Sequence, residues 1–393
     1  MAEHAASSRA LRLAVSGLSL RFPHTGTGRY AREVLASIAA QTDLRTTLVL
    51  DSETERPVFP GGKIRTVRAA RLPVRLGDYG EKLYWEQVGF RMAARRSRAA
   101  IWYSPHFSMP LFAGRPTVIS VHDMIPFSES GYAGSRATRA YFALVGRAAR
   151  QAAAVITLSC HAKGEIERVL GIAGTRVHVV TPGVDAAFSP ISDPASRSRI
   201  RERYGLPDRY LLYVGGADAR KNIGILLQAI ALLPDDSGAP ELVIVASEPK
   251  PEQEEMFPDW RARSRQLGLE GRVRFVPRVA EEDLAAVYRG AMIFCFPSRA
   301  EGFGLPPLEA MACGTAVICS NSTSLPEAVG DAGLLLDPDD AEGWAAAITR
   351  LLGDDGPRAE LGRRGVARAR TFRWTDTGAR VVEIIRSVGP CAS

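Results

Sequence analysis

The stretch PSRAEGFGLPPLEAMACGTAVICS, residues 297–320, decides how the chain reads. An apolar run, AMIFCFPS (291–298), leads into it, and a second, AVICS (316–320), closes it. Between them lie Glu301, the loop Gly302-Phe303-Gly304-Leu305, two prolines and Glu309. Proline is favoured at a helix's first position, so the spacing predicts a helix from Pro306 or Pro307 that Gly314 ends. Glu309 then falls in the first or second turn, where the helix dipole tolerates a carboxylate. The glycine loop brings backbone N–H groups and a helix N-terminus to one place, which suits an anion. Glu301 before the loop and Glu309 after it can face one ligand. The plain alternative is a strand–loop–helix unit with two solvated glutamates. It would win for one Glu pair alone, but not for the whole string.

Outward from this unit, the same alternation fills the chain. Strand-like runs stand at 11–17, 46–51, 99–105, 117–123, 153–159 and 177–183, and again at 210–216, 241–247, 272–277, 291–298 and 316–320. Helical patterns stand at 29–40 and 137–153 in the first half. In the second they stand at 222–233, 281–289, 306–312, 341–352, 356–370 and 374–388. Runs that are apolar on both faces, separated by helices, predict parallel sheets covered on both sides. The polar stretch from Pro182 to Asp208 reads as a linker. The fold class is therefore α/β, two Rossmann-like domains of similar size. Ligands of such sheets bind beyond the strands' carboxyl ends, so the two halves are expected to face a cleft between them.

At 393 residues the chain has room for two or three domains. Its 50 Lys+Arg against 43 Asp+Glu leave a net charge of +7, which favours anionic partners without choosing among them. Ordinary globular composition, 46% hydrophobic and 24% charged, excludes disorder and collagen-like repeats. Five cysteines, 160, 295, 313, 319 and 391, lack CxxC spacing and read as reduced thiols of a cytoplasmic protein. Arginines interrupt the N-terminal apolar stretch, against a signal peptide. No run is long enough to span a membrane.

With these motifs in order, the chain resembles the retaining, GT-B-fold glycosyltransferases, in particular family 4, and among them mannosyltransferase-like members of polysaccharide pathways. The string from Glu301 to Glu309 is similar to that family's E-x7-E signature. Thr25–Tyr30 resembles its N-terminal glycine loop, with Gly26, Thr27 and Gly28 near the donor. Ser120–Asp123 resembles its histidine-bearing strand end. Thr181–Asp185, then Phe188 and Pro190, resembles its interdomain segment. Tyr213–Asn222, with Gly215 and Gly216, resembles its diphosphate loop, and Arg272–Pro277, with Val276 and Pro277, its base-recognition segment. LYWEQ (83–87) and YSPHF (103–107) carry the mannosyltransferase likeness.

The resemblance implies roles. Glu301 orients the donor sugar through its hydroxyls, and Glu309 accepts hydrogen bonds from the ribose. The backbone of Gly302, Phe303, Gly304 and Leu305 holds sugar and phosphate oxygens. Lys221 neutralises the diphosphate and Arg220 shares that task. His122 bonds the sugar near the acceptor; His106, also after a strand, reads rather as a core histidine. An arginine that the family often places after the strand glycine is missing, since Gly216-Ala217 stands there. The implied chemistry is transfer from a nucleotide sugar, with GDP-mannose slightly ahead of UDP-sugars, to a glycan, lipid-linked or small-molecule acceptor. The configuration is retained, with the leaving phosphate taking the acceptor's proton. No metal or other cofactor is implied. The implied domains are 1–183 for the acceptor, 184–372 for the donor, and a helix, 373–393, crossing back to the first. A GT-B epimerase or phosphorylase, or a non-catalytic nucleotide-sugar binder, are the alternatives.

Three other features have rival readings. Gly26-Thr27-Gly28-Arg29-Tyr30-Ala31 fits a dinucleotide pattern with Asp51 twenty residues on. Its glycines stand too far from the first strand for NAD. Asp337-Pro338-Asp339 looks like a metal-binding DxD, but Asp339 or Asp340 reads better as a helix cap. Two basic stretches, Lys63–Arg75 and Arg91–Arg98, read as a charged loop and a solvated helix end. Contact with anionic lipid at the inner face of a membrane is their alternative. Nothing resembles a nucleic-acid motif.

Overall fold

A computed structural model describes residues 10–23, 25–59, 62–69, 77–107, 109–128, 136–191, 194–234, 239–246 and 256–389. The chain divides into two compact units, residues 1–183 with 374–393, and residues 184–373.

In the first unit, β1 (Leu11–Ser16), β2 (Leu44–Leu50), β3 (Ile64–Arg68), β4 (Ile101–Ser104), β5 (Thr117–Ser120), β6 (Ala154–Thr157) and β7 (Val177–Val179) form one sheet. Its order is β3-β2-β1-β4-β5-β6-β7, and the pairings are parallel. Every residue of β4, β5 and β6 is buried, because helices cover both faces and leave no solvent side to alternate with. The helices are α1 (Gly26–Ala39), α2 (Gly77–Tyr84), α3 (Arg91–Arg96), α4 (Ile125–Ser128), α5 (Arg136–Gln151) and α6 (Cys160–Leu170). Thr25 starts α1: its Oγ1 accepts the N–H of Gly28 at 3.1 Å, the usual work of an N-cap. A Cβ on Gly28 would lie 2.0 Å from the carbonyl oxygen of Phe22, so only glycine fits there.

The first basic stretch differs from its reading as a charged loop, and the second is the helix end it reads as. Lys63–Arg75 contains β3, an edge strand on which Arg65 and Arg68 point outward; residues 70–76 lie outside the described set. Arg91–Arg98 is the end of a continuous helical segment in which a π-helical turn, Trp85–Phe90, joins α2 to α3. That segment buries Trp85, Glu86, Phe90 and Ala94. A buried glutamate inside the apolar face, and the wider turn, broke the 3.6-residue period that would have shown it.

In the second unit, α7 (Pro194–Tyr204) crosses the stretch that reads as a linker. Its four arginines hide any apolar face; Ile200 is buried. Then follow β8 (Tyr210–Gly215), α8 (Ile223–Leu232), β9 (Glu241–Ala246), α9 (Trp260–Gln266), β10 (Val273–Val276), α10 (Glu281–Gly290) and β11 (Ile293–Phe296). After them come α11 (Leu305–Ala312), β12 (Ala316–Ser320), α12 (Leu325–Val329), β13 (Leu334–Leu336), α13 (Ala341–Gly353) and α14 (Asp355–Ala369). The sheet order is β10-β9-β8-β11-β12-β13. α11 begins at Leu305, a residue earlier than the prolines suggest, because Gly304 adopts φ +117° and turns the chain into the helix. Gly314, at φ +80°, follows its end. The short elements α6, α9, α12, β3 and β13 escape a periodicity reading.

The last helix, α15 (Trp374–Ser387), belongs to the first unit. Thr377 Oγ1 donates to the Thr181 carbonyl at 2.8 Å, Gly378 lets the side chain of Ser37 on α1 approach, and Arg386 pairs with Asp43 at 2.8 Å.

Strand order reverses direction between β1 and β4 in one sheet and between β8 and β11 in the other. Loops leaving the carboxyl ends of such neighbouring strands part to opposite sides and open a crevice. The residues that follow these four strands are where function is expected.

Candidate active site

In the second unit, the loop after β8 carries Arg220 and Lys221, and the loop after β11 carries Glu301. The structure brings them together. Lys221 Nζ lies 2.6 Å from Glu301 Oε1, and the Arg220 guanidinium 3.5 Å from the same oxygen. Arg220 also reaches Asp218 at 3.3 Å and donates to the Ala300 carbonyl. All three side chains at Glu301 are only 13 to 15% exposed. Burial pushes the Glu301 carboxyl up, but the charges of Lys221 and Arg220, with hydrogen bonds from Lys221 and Ser298, outweigh it and hold it below the usual carboxylate range. Glu301 is therefore an anion at neutral pH. Lys221 Nζ also stands 5.4 Å from the Phe296 ring centre.

The two loops are fastened by residues that no local motif announces. Thr323 Oγ1 accepts the Glu301 N–H at 3.0 Å, and Ser324 Oγ donates to the Glu301 carbonyl at 2.8 Å. Asn222, at φ +57°, donates through Nδ2 to the carbonyls of Pro338, at 2.7 Å, and Pro297, at 3.3 Å. Tyr213 Oη donates to the Gly216 carbonyl at 2.6 Å, closing the turn that begins at Gly215. Ala217 is buried, and its carbonyl accepts Trp260 Nε1 at 2.7 Å. The place of the expected arginine is thus folded against α9, while the cation of Arg220 lies at Glu301.

Glu309, second residue of the E-x7-E pair, is not solvated. It is 4% exposed, and Tyr288 Oη donates to its Oε2 at 3.0 Å. Phe303 and Gly304 are buried; Gly302 and Leu305 are half-buried. Val276 ends β10 and is buried, with Pro277 exposed after it.

In the first unit, a second group gathers at the carboxyl edge. His122 follows β5 and is 8% exposed. Its Nδ1 lies 3.4 Å from Thr27 Oγ1, at the start of α1 between Gly26 and Gly28. The Tyr30 ring meets it edge-on at 4.6 Å, and the His106 ring stands 6.4 Å away. Burial lowers the His122 pKa to about 4, so its ring is neutral at pH 7 and offers one donor and one acceptor.

Two rival readings lose their ground. Gly26 is the first residue of α1, separated from β1 by Gly17 and a 3-10 turn at Leu18–Arg21, so the Gly26–Gly28 pair does not stand at the strand end as NAD binding requires. Asp51 Oδ1 accepts the N–H groups of Glu53 and Thr54, at 3.1 and 2.7 Å, and caps its own turn. In the DxD stretch, Asp340 caps α13 by accepting the Gly343 N–H at 2.9 Å. Asp339 pairs with Arg299, and Asp337 accepts the Asp339 N–H at 2.8 Å.

Residues 24–188 match the family model described as Glycosyltransferase Family 4, and residues 196–368 that of Glycosyl transferases group 1. O-antigen chain mannosyltransferase B of Escherichia coli is 30% identical over 372 residues, 92% of this chain and 96% of that one. The chain belongs to glycosyltransferase family 4. This glycosyltransferase shares its fold with sucrose-phosphate synthase from Thermosynechococcus elongatus, at TM-score 0.76 and 22% identity over 96% and 98% of the two chains. It also resembles Anabaena HepE, solved in complex with UDP-glucose, at TM-score 0.73 and 18% identity over 96% and 100%.

Proposed function

We propose that this enzyme transfers a hexose, mannose first, from a nucleotide sugar to a glycan, lipid-linked or small-molecule acceptor in glycoconjugate synthesis, with retention. The observation that carries the reading is the convergence of Lys221 and Arg220 on Glu301 beside the Gly302–Leu305 loop. Breaking the bond from the sugar's C1 to the diphosphate puts negative charge on the leaving group, and fixed cations aimed at that charge are the largest usual catalytic aid. Lys221 and Arg220 take that role, and no metal is required in it. Glu301, kept anionic, accepts hydrogen bonds from sugar hydroxyls. Glu309 serves the ribose and Tyr288 aims it. Neutral His122 bonds the transferred sugar, and the leaving phosphate takes the acceptor's proton on the same face. The mannosyltransferase relative favours GDP-mannose; the UDP-glucose complex of Anabaena HepE keeps UDP-sugars second.

The test is a thermal-shift panel of GDP-mannose, UDP-glucose, UDP-N-acetylglucosamine and NAD. A donor at ~100 times its Kd adds about 2.7 kcal/mol of stability. Stabilisation by one sugar nucleotide, followed by acceptor-dependent release of its nucleoside diphosphate, is the expected result. The product's anomeric coupling by NMR then reads retention. Stabilisation by NAD alone overturns the reading.

Peripheral contact with an anionic membrane is part of the proposal. Val88, Met92 and Phe112 are 37, 44 and 64% exposed. Gln87 holds the Phe112 loop beside the helical segment, accepting the Leu111 N–H at 2.9 Å and donating to the Met109 carbonyl at 3.3 Å. Arg95, Arg96, Arg98 and Arg115 are exposed around them. Apolar anchors among arginines suit an acidic bilayer surface. Among the described residues, no helix is long and apolar enough to cross a membrane.

A further inference from the structure

Lys82, on α2, is a half-buried cation that makes no ion pair among the described residues. Its ammonium stands 4.7 Å from the Tyr141 ring centre and 5.5 Å from that of Phe107. The neighbouring carboxylate, Glu86, is 1% exposed and accepts the Tyr141 hydroxyl at 2.8 Å. Glu86 acts on Lys82 through its charge, against a burial that lowers the lysine's pKa. Near Lys82 stands His106, its ring tilted against that of Phe107 at 3.9 Å between ring centres and close enough to feel the lysine's charge.

Two imidazole nitrogens here are buried, His106 Nδ1 without a hydrogen-bond partner and His122 Nε2 without one of ordinary geometry, the His122 ring being within reach of the Pro105 backbone. A buried polar group left unpaired costs about 1–3 kcal/mol. Chains keep such groups where a ligand completes them. Both histidines follow neighbouring strands, β4 and β5, at the edge of the sheet where ligands bind.

We propose that Lys82 and His106 form a subsite for a phosphoryl group carried by the acceptor, with the acceptor's reacting hydroxyl directed toward His122. This rests on reading the first unit as the acceptor's and deepens that reading. A neutral sugar would leave the ammonium with no anion at contact distance among the described residues, Glu86 acting on it only from farther off. A phosphoryl group supplies charge and several acceptor oxygens to an ammonium whose other sides are closed by two aromatic faces. The group belongs to a soluble sugar phosphate or to a lipid-linked one, and the test separates these sources.

The experiment follows the histidine side-chain resonances of the full chain, assigned with His106→Gln and His122→Gln, during titration with inorganic phosphate. Lys82→Met, Lys82→Arg and Lys221→Ala are titrated alongside. The expected result is a saturable shift of the His106 signal that weakens at least ~tenfold, about 1.4 kcal/mol, in Lys82→Met. Lys82→Arg stays near wild type, and so does Lys221→Ala, which reports on the other unit. An unchanged response in Lys82→Met, an equal response to acetate, or no response in the wild type overturns the proposal. Glycerol phosphate and vesicles containing phosphatidic acid then form the two arms. A shift with the first assigns a soluble source, a shift with the vesicles alone assigns a lipid one, and a shift with neither overturns the subsite. Acceptor-dependent release of nucleoside diphosphate is measured separately, so the subsite and the transferase reading can fail independently.

Discussion

Glu301 is held by two cations, and its carboxylate is stabilised more by charge than burial costs it. Removing one partner of a poorly hydrated pair leaves the other's charge exposed to a low dielectric, which costs more than the pair contributes. Lys221→Met is expected to destabilise the enzyme by about 2–3 kcal/mol, with Arg220 bearing the remainder. Adding Glu301→Gln should recover more than 1 kcal/mol of that, a coupling that denaturation of the four proteins in the cycle measures. Turnover of Lys221→Met should fall by roughly 10²–10³-fold. His122 responds to pH. Its folded pKa, about 4, lies below the ordinary 6.5, so the unfolded chain binds the proton first. Its contribution is whole above pH 6.5 and is lost as pH falls toward 4. Between pH 7.5 and 5, the wild type should lose about 2 kcal/mol more stability than His122→Gln, as read by urea denaturation at both pH values.

At the scale of elements, α1 and α6 make a contrasting pair. Thr25→Ala removes the cap from α1 and is expected to cost about 1 kcal/mol. Gly28→Ala should cost more, about 2–3 kcal/mol, because the new methyl meets the backbone of Phe22, which cannot rotate away. Gly164 is the control. It sits exposed inside α6 with nothing within 4 Å of its missing Cβ. Gly164→Ala should stabilise by roughly 0.5–1 kcal/mol. Equal losses at Gly28 and Gly164 in thermal denaturation would contradict this account. The Thr-Gly-Thr-Gly run reads as a glycine loop before a helix at 29–40, whereas α1 begins at Gly26, because Thr25 caps it and Gly28 packs on the Phe22 backbone, which no spacing displays. The linker reading failed at α7 because that helix shows mainly arginines, and Ile200 alone does not make a period.

At the scale of the whole molecule, +7 of net charge reads as a preference for anions, and the proposal assigns two places to them. Lys221 and Arg220 lie at Glu301, and Arg95, Arg96, Arg98 and Arg115 are exposed on the segments that carry Met92 and Phe112. The second place should bind vesicles rich in phosphatidylglycerol in a sedimentation assay and release them as salt rises. Met92→Asp with Phe112→Asp should abolish most of that binding while leaving turnover on a soluble acceptor intact. Binding that survives the double change would remove the membrane from the proposal.

Sequence alone determined the alternating α/β plan, both sheets' main strands, the glutamate pair around a glycine loop and the family. Those signals are local: a strand apolar on both faces, a glycine before a helix and a carboxylate beside it need no partner to be recognised. Tertiary structure decided what those residues touch. Thr323 and Ser324, more than twenty positions away, hold the Glu301 backbone; Tyr288 meets Glu309; Gln87 sets Phe112 beside α3; and Lys82 comes to rest against Tyr141 and Phe107. The reason is topological. A parallel sheet separates neighbouring strands by a helix and two loops, so the residues meeting at its carboxyl edge are tens of positions apart and share no spacing that a sequence can display.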